Sequence, residues 1–191
     1  MTIDSNDILN SILNSISRID YIHSTEIPNM NLYMDQVTTL MEEGLSSTKR
    51  YDDDKILTKT MINNYTKNNL LPPPDKKKYS KEHVLVLIFI YYFKDIETLL
   101  KPITEKYFHT DENLSMTDIY EEICSVQKSR IDSLQEELKT AFARSEGSFS
   151  KVHDEDKEQL QLFSLLCDLS FDVYVKKQII EKLLDEVHPQ E

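Results

Sequence analysis

The sequence predicts a mainly α-helical protein with at most a small β-hairpin, and three observations carry that prediction. Apolar residues recur at spacings of three and four in successive segments of the 191-residue chain, the period of a helix with one buried face. The longest apolar run, VLVLIFIYYF at 84–93, has ten residues. A membrane-spanning helix needs about 20, so this run predicts a helix buried on most sides. Only two glycines are present. A loop whose backbone amides cradle a phosphate needs glycine where no side chain fits, so glycine-rich nucleotide-binding folds are excluded.

The elements follow in order. SNDILNSILNSISRIDYI, 5–22, predicts an amphipathic helix capped by Ser5, with Ile8, Leu9, Ile12, Leu13, Ile16 and Ile19 on one stripe. Pro28 interrupts the chain. NLYMDQVTTLMEE predicts a second helix, with Leu32, Tyr33, Val37, Leu40 and Met41 inward and Gly44 as its stop signal. Residues 45–54 form a polar loop. Thr58 is the expected N-cap of a short helix reaching about Asn68, with Met61, Ile62 and Tyr65 as its apolar face. Pro72, Pro73 and Pro74 force an extended segment. Asp75 to Tyr79 is then a turn or small hairpin, and Ser80 caps the buried helix. A shorter helix over roughly 95–107 contains Pro102, which is expected to split it. Residues 115–144 read as one long helix with a slip in spacing between Val126 and Ile131, so a strict coiled coil does not follow. SEGSFS breaks the chain at 145–150, and a last helix covers about 155–187.

Charge and cysteine usage bound the function. The formal net charge is −12. From Lys49 to Lys81, however, nine Lys/Arg face four Asp, net +5, and the remainder is left at −17. A local basic face on an acidic protein still attracts phosphate. Cys124 and Cys167 each sit in an apolar helical pattern, as buried reduced thiols do. The five histidines are scattered, so no metal site is expected. His83 is expected to touch a backbone group or a carboxylate. His153, Asp154, Glu155 and Asp156 resemble a ligand cluster only by composition, since acids suit the positive end of a helix start. There are no paired carboxylates, no nucleophile with a base and no phosphate loop, so neither an enzyme nor a cofactor is expected. MTIDSND lacks the basic start and apolar run of a signal peptide, and the expected location is cytoplasmic.

The basic segment LTKTMINNYTKNNLLPPPDKKKYSKEHV, 57–84, carries the functional reading. Its order is short polar helix, Leu-Leu-Pro-Pro, basic turn, Tyr-Ser, buried helix. This resembles the winged helix-turn-helix of the MerR-type transcription regulators. Asn63-Asn64-Tyr65, Leu70-Leu71-Pro72-Pro73-Pro74 and Tyr79-Ser80 fall at the matching places. More specifically, IPNMNLYMDQVTTLMEE followed by ILTKTMINNYTKNNLLPPPDKKKYSKEH is similar to a bacterial family of unknown function, the one numbered 1836, over about residues 27–110. That family is regarded as MerR-like and DNA-binding, with no established function of its own. The resemblance implies a MerR-like winged helix-turn-helix over 27–110, and the apolar periodicity adds an N-terminal amphipathic helix over 1–26 and a C-terminal helical region over 111–191.

In a helix-turn-helix the second helix enters the major groove and presents side chains to base edges. On that reading Thr58, Lys59, Thr60, Asn63, Asn64 and Lys67 form the exposed side of the recognition helix. Asparagine pairs bidentately with adenine. Lys76, Lys77 and Lys78 on the wing neutralise phosphates, and Tyr65 or Tyr79 offers a hydroxyl. The implied partner is double-stranded DNA, bound by a homodimer joined through the C-terminal helices, because one short helix reads too few bases alone. The acidic helices would also receive an unidentified protein partner or small-molecule effector. MerR-type proteins carry arginines where Thr60 and Asn63 stand, which leaves base preference open. Their metal sensors cluster cysteines, which Cys124 and Cys167 do not. The alternative is a protein-interaction module of winged-helix shape that no longer binds DNA.

Overall fold

A computed structural model describes residues 5–17, 22–93, 96–108, 114–152 and 154–187. Ile19 of the first stripe and His153 lie outside them. The described residues are mainly α-helical, with one two-stranded antiparallel sheet. The chain divides into two compact units, residues 19–126 and residues 1–18 with 127–191.

The 19–126 unit is built around a helix with no outer face. α4, Lys81–Tyr92, buries every residue from His83 to Ile90. Burying one such aliphatic side chain stabilises a fold by roughly 1.5–3 kcal/mol, so α4 supplies much of the unit's cohesion. Around it pack the strand β1 (Leu32–Tyr33), α2 (Met34–Gly44), α3 (Lys59–Lys67), the strand β2 (Lys78–Tyr79), α5 (Glu97–Tyr107) and α6 (Met116–Lys128). Pro102 sits inside α5 without splitting it.

Leu32 and Tyr33, expected on the second helix, form a strand instead. Leu32 pairs with Tyr79 and Tyr33 with Lys78. The Gln36 side chain accepts the Tyr33 amide at 2.9 Å, so α2 starts one residue later. Gly44 ends α2 as expected, but its work is to make room. A Cβ there would lie 2.5 Å from Ile22 Cδ1 and 2.7 Å from its Cγ1. The unit's two ends meet: the Tyr120 hydroxyl donates to the Ile22 carbonyl at 2.6 Å, and the Ser24 hydroxyl donates to Glu121 beside it.

The second unit contains α1 (Ser5–Ser17), α7 (Ile131–Glu146) and α8 (Asp154–Val187). The single helix expected over 115–144 is two, broken at Ser129 and Arg130, where the slip in spacing lies. Ala141, Phe142 and Leu165 form a small core with Leu9 against it. Cys167 is exposed rather than buried, and Cys124 is half-buried.

Candidate nucleic-acid interface

α3 is fixed at both ends and along one side. Thr58 caps its start, its hydroxyl accepting the Met61 amide at 3.2 Å, a bond that costs about 1 kcal/mol to remove. Ile62 is fully buried, and Met61 and Tyr65 pack partly buried on the same core. At the far end Asn69 takes a left-handed backbone with φ 57°. Its amide reaches the Thr66 carbonyl at 3.1 Å and the Leu70 amide reaches Tyr65 at 2.9 Å. These two bonds are a Schellman stop, with asparagine where glycine is usual. The next side chains, Leu70 and Leu71, enter the core.

With that side buried, Lys59, Thr60, Asn63, Asn64 and Lys67 are left exposed. The spacing places all five on one helical face, and none is acidic. Thr58 is half-buried and its oxygen serves the cap. Lys59 forms an ion pair with Asp35 on α2. Both side chains are mostly exposed, so the pair adds little stability.

The basic turn is equally defined. Lys76 and Lys77 have φ of 47° and 64°, and the Lys78 amide donates to the Asp75 carbonyl at 2.8 Å. Two consecutive left-handed residues closed by that bond make a type I′ turn, which normally uses Asn-Gly. Lysine has a Cβ, and holding it there costs on the order of 1 kcal/mol per residue. Both side chains at this tip are exposed. Lys78 is half-buried, its ammonium 5.0 Å from the centre of the Tyr33 ring. α3 and β2 both pack on α2.

Two predicted residues fall elsewhere. Tyr79 is only 3% exposed and belongs to the core. Burial pushes its phenol above the usual tyrosine range, and its ring meets His83 edge-on at 5.5 Å. So little of the residue reaches solvent that Tyr79 acts chiefly as packing beneath the candidate surface. Tyr65 is half-buried and acts chiefly as packing for α3.

His83 joins the two sides of the basic turn. Its Nδ1 accepts the Ser80 amide at 3.0 Å, and its Nε2 lies 3.4 Å from the Pro73 carbonyl. Accepting at Nδ1 leaves the proton on Nε2, which then donates to Pro73. The three prolines are thereby anchored to the start of α4. Asp35 and Asn69 were not singled out in the sequence. Asn69 was detectable as an asparagine between the end of a helix and two leucines; Asp35 carried no signal beyond its place in the first turn of α2.

An open groove of about 590 Å³ runs along α2, lined by Glu26, Asp35, Glu43, Leu32 and Leu40 among others. Three carboxylates make it unsuited to phosphate. Among the described residues, no group of three or more His, Cys, Asp or Glu side chains is placed to hold a metal ion. No described helix is long and apolar enough to cross a membrane.

The chain belongs to the family described as Domain of unknown function (DUF1836), whose model matches residues 22–123. That span is nearly coextensive with the 19–126 unit. No curated protein matches the chain significantly, and neither does any solved structure.

Proposed function

We propose that the 19–126 unit is a DNA-binding domain of winged-helix type and that the chain is a transcription regulator acting as a homodimer through its C-terminal helices. A bacterial regulator of this kind works in the cytoplasm, where its DNA is. The observation that carries this reading is the exposed, acid-free face of α3. It is rigid, because Ile62 and two end caps hold it, and it presents two adjacent asparagines flanked by lysines. The strained type I′ turn holds Lys76 and Lys77 at a fixed tip. Backbone strain of this sort persists where the surroundings enforce it, and it concentrates at functional sites. In these roles Asn63 and Asn64 meet base edges, and Lys67, Lys76 and Lys77 meet phosphates.

The test is fluorescence anisotropy of the full chain with a fragment from upstream of its own gene and a scrambled control. With three phosphate contacts per protomer, affinity should fall roughly 40-fold per protomer between about 50 and 200 mM salt. Lys76→Glu with Lys77→Glu should abolish most binding to either fragment. Asn63→Ala should narrow the preference for the upstream fragment. No binding at low salt, with the chain shown to be dimeric, sinks the reading.

A protein-interaction module is the second reading, and specific observations favour it. Lys59 is paired with Asp35. The connection between α2 and α3 runs from Leu45 to Thr58, against the three or four residues of a tight helix-turn-helix. The remainder of the chain is strongly acidic. On this reading the lysine reversals weaken a protein complex and leave DNA irrelevant.

A further inference from the structure

We infer that the acidic groove along α2 is a docking site for an amphipathic helix of a protein partner, one that carries lysine or arginine on both flanks of an aliphatic ridge. This use of α2 does not depend on DNA binding by α3. A misplaced charge is the first sign. α2 ends in Glu42, Glu43 and Gly44, with no basic residue in its last turn. The C-terminal end of a helix carries partial negative charge, so acids are unfavourable there. Glu42 is compensated. Lys49 pairs with it and holds its carboxyl below the usual glutamate range. Glu43, the next residue, is not compensated. It is exposed, it lines the groove, and it makes no ion pair among the described residues. A local rule broken without a compensating contact marks a position that serves something else.

Two further carboxylates line the same groove. Asp35 stands eight residues before Glu43, about 12 Å along the helix axis. It shares its charge with Lys59 through an exposed pair, which yields to a competitor at little cost. Glu26 comes from the segment before β1. One of its oxygens accepts the His23 amide at 2.9 Å, which leaves the other for a partner. No lysine, arginine or histidine lines the groove, and Leu40 and Pro28, both half-buried, give it an apolar floor. This chemistry selects the occupant. Carboxylates repel nucleic acids and anionic lipids. They are not grouped to hold a metal ion. Small ligands settle where most of their surface is buried, and this groove is open. An amphipathic helix laid along a groove fits all three features. Its aliphatic ridge would cover Leu40 and Pro28. Cations about seven or eight positions apart on the partner would reach Asp35 and Glu43 together, and a cation on its other flank would reach Glu26. Complementary charge of this kind selects the partner and speeds its arrival.

The test is fluorescence anisotropy of the full chain, without DNA, against a labelled peptide of about 18 residues, long enough to form helix. The peptide has leucines at helical spacing and lysines on both flanks; its control has glutamates in place of the lysines. The lysine peptide should bind at low salt and weaken as salt screens the contacts. The glutamate peptide should not bind. Glu43→Lys should weaken binding about tenfold or more. It also suits the end of α2 better than glutamate does, so its melting temperature should not fall, and the lost binding cannot be laid to unfolding. Thr39→Arg, at an exposed position lining the groove, should weaken binding about as much by bulk and charge. Asp132→Lys, the same kind of reversal at an exposed position on α7, should leave affinity within about twofold. A lysine peptide that fails to bind at low salt overturns the site. So does a glutamate peptide that binds equally well, or a loss in Asp132→Lys equal to that in Glu43→Lys. Binding indifferent to Thr39→Arg also overturns it and places the peptide on the exposed apolar residues of α8.

Discussion

α4 and α8 are both rich in apolar residues, yet their surroundings are opposite. From His83 to Ile90 every side chain of α4 is buried, with α2, α3, α5 and α6 supplying neighbours to the same core. α8 is almost three times as long, but among its described side chains only Leu165 is buried. The two sequences announce the difference. α4 has an uninterrupted apolar run, which only a helix enclosed on all sides can satisfy. α8 interleaves its apolar residues with charges at heptad spacing, which suits a helix with one long strip to cover. The lesson is that apolar content alone does not locate a core; the period decides how many neighbours a helix needs.

The largest expected effect breaks the comparison at its centre. Ile88→Ala should destabilise the 19–126 unit by roughly 2–5 kcal/mol, because a fully packed site collapses incompletely around the cavity. Ile180→Ala, measured where the chain is monomeric, should stay within about 0.5 kcal/mol of wild type. Urea unfolding of both variants checks the contrast. A second change probes close packing at the edge of the same core. Gly44→Ala gains helix propensity worth about 1 kcal/mol, but its new methyl group meets Ile22 at both Cγ1 and Cδ1. A net loss of roughly 1–2 kcal/mol is expected, seen as a lower denaturation midpoint; an unchanged or raised midpoint would mean that Ile22 moves aside freely.

Smaller effects come from the surface. Lys77→Gly should stabilise the unit by about 1 kcal/mol, by releasing a left-handed lysine, while weakening any phosphate contact that Lys77 makes. Thermal melts and anisotropy on one sample separate the two results. The smallest effect lies on the acid side. Two hydrogen bonds from Ser115, through its hydroxyl and its amide, hold the Asp118 carboxyl below the usual aspartate range. A lowered carboxylate pKa stabilises the fold above the unfolded-state value, and that contribution is lost as pH falls through the folded-state value. Asp118→Asn should therefore flatten the dependence of Tm on pH in that acid window. An equally steep curve would place the acid sensitivity elsewhere, with Glu42, lowered by its contact with Lys49, as the next carboxylate to change.

Most of the helical frame was legible because its signals are local. Ser80, Thr58 and the apolar run of α4 announce their elements within a few residues, and the face of α3 opposite Ile62 follows from periodicity. What escaped depends on distant partners. Leu32 and Tyr33 continue the apolar pattern of α2 but become a strand, because Lys78 and Tyr79, more than forty positions away, supply the ladder. Tyr79 looked like a hydroxyl beside three lysines, and only its pairing with Leu32 and its contact with His83 turn it inward. Lys59 looked unpaired until the fold set Asp35 beside it. The break at Ser129 and Arg130 shows in the sequence as a slip in period, but no glycine or proline marks it as a helix end.

The hydrogen bond from Tyr120 to Ile22 has a consequence for how this region can travel between proteins. It fastens the entrance of the 19–126 segment to its exit. A segment whose ends are adjacent can be spliced into a host chain at one point without separating the host's two halves. Here the flanking pieces do find each other, as Gln135 donates to the Leu13 carbonyl at 3.4 Å and Leu9 packs on the core that includes Phe142 and Leu165. The matched family region thus has the joined ends of an insertable cassette, and the outer helices form a unit of their own. Joining residue 126 to residue 22 through a short linker, with new ends opened in the exposed loop at Asp52 to Asp54, would give a permuted cassette whose melting is set by the core alone.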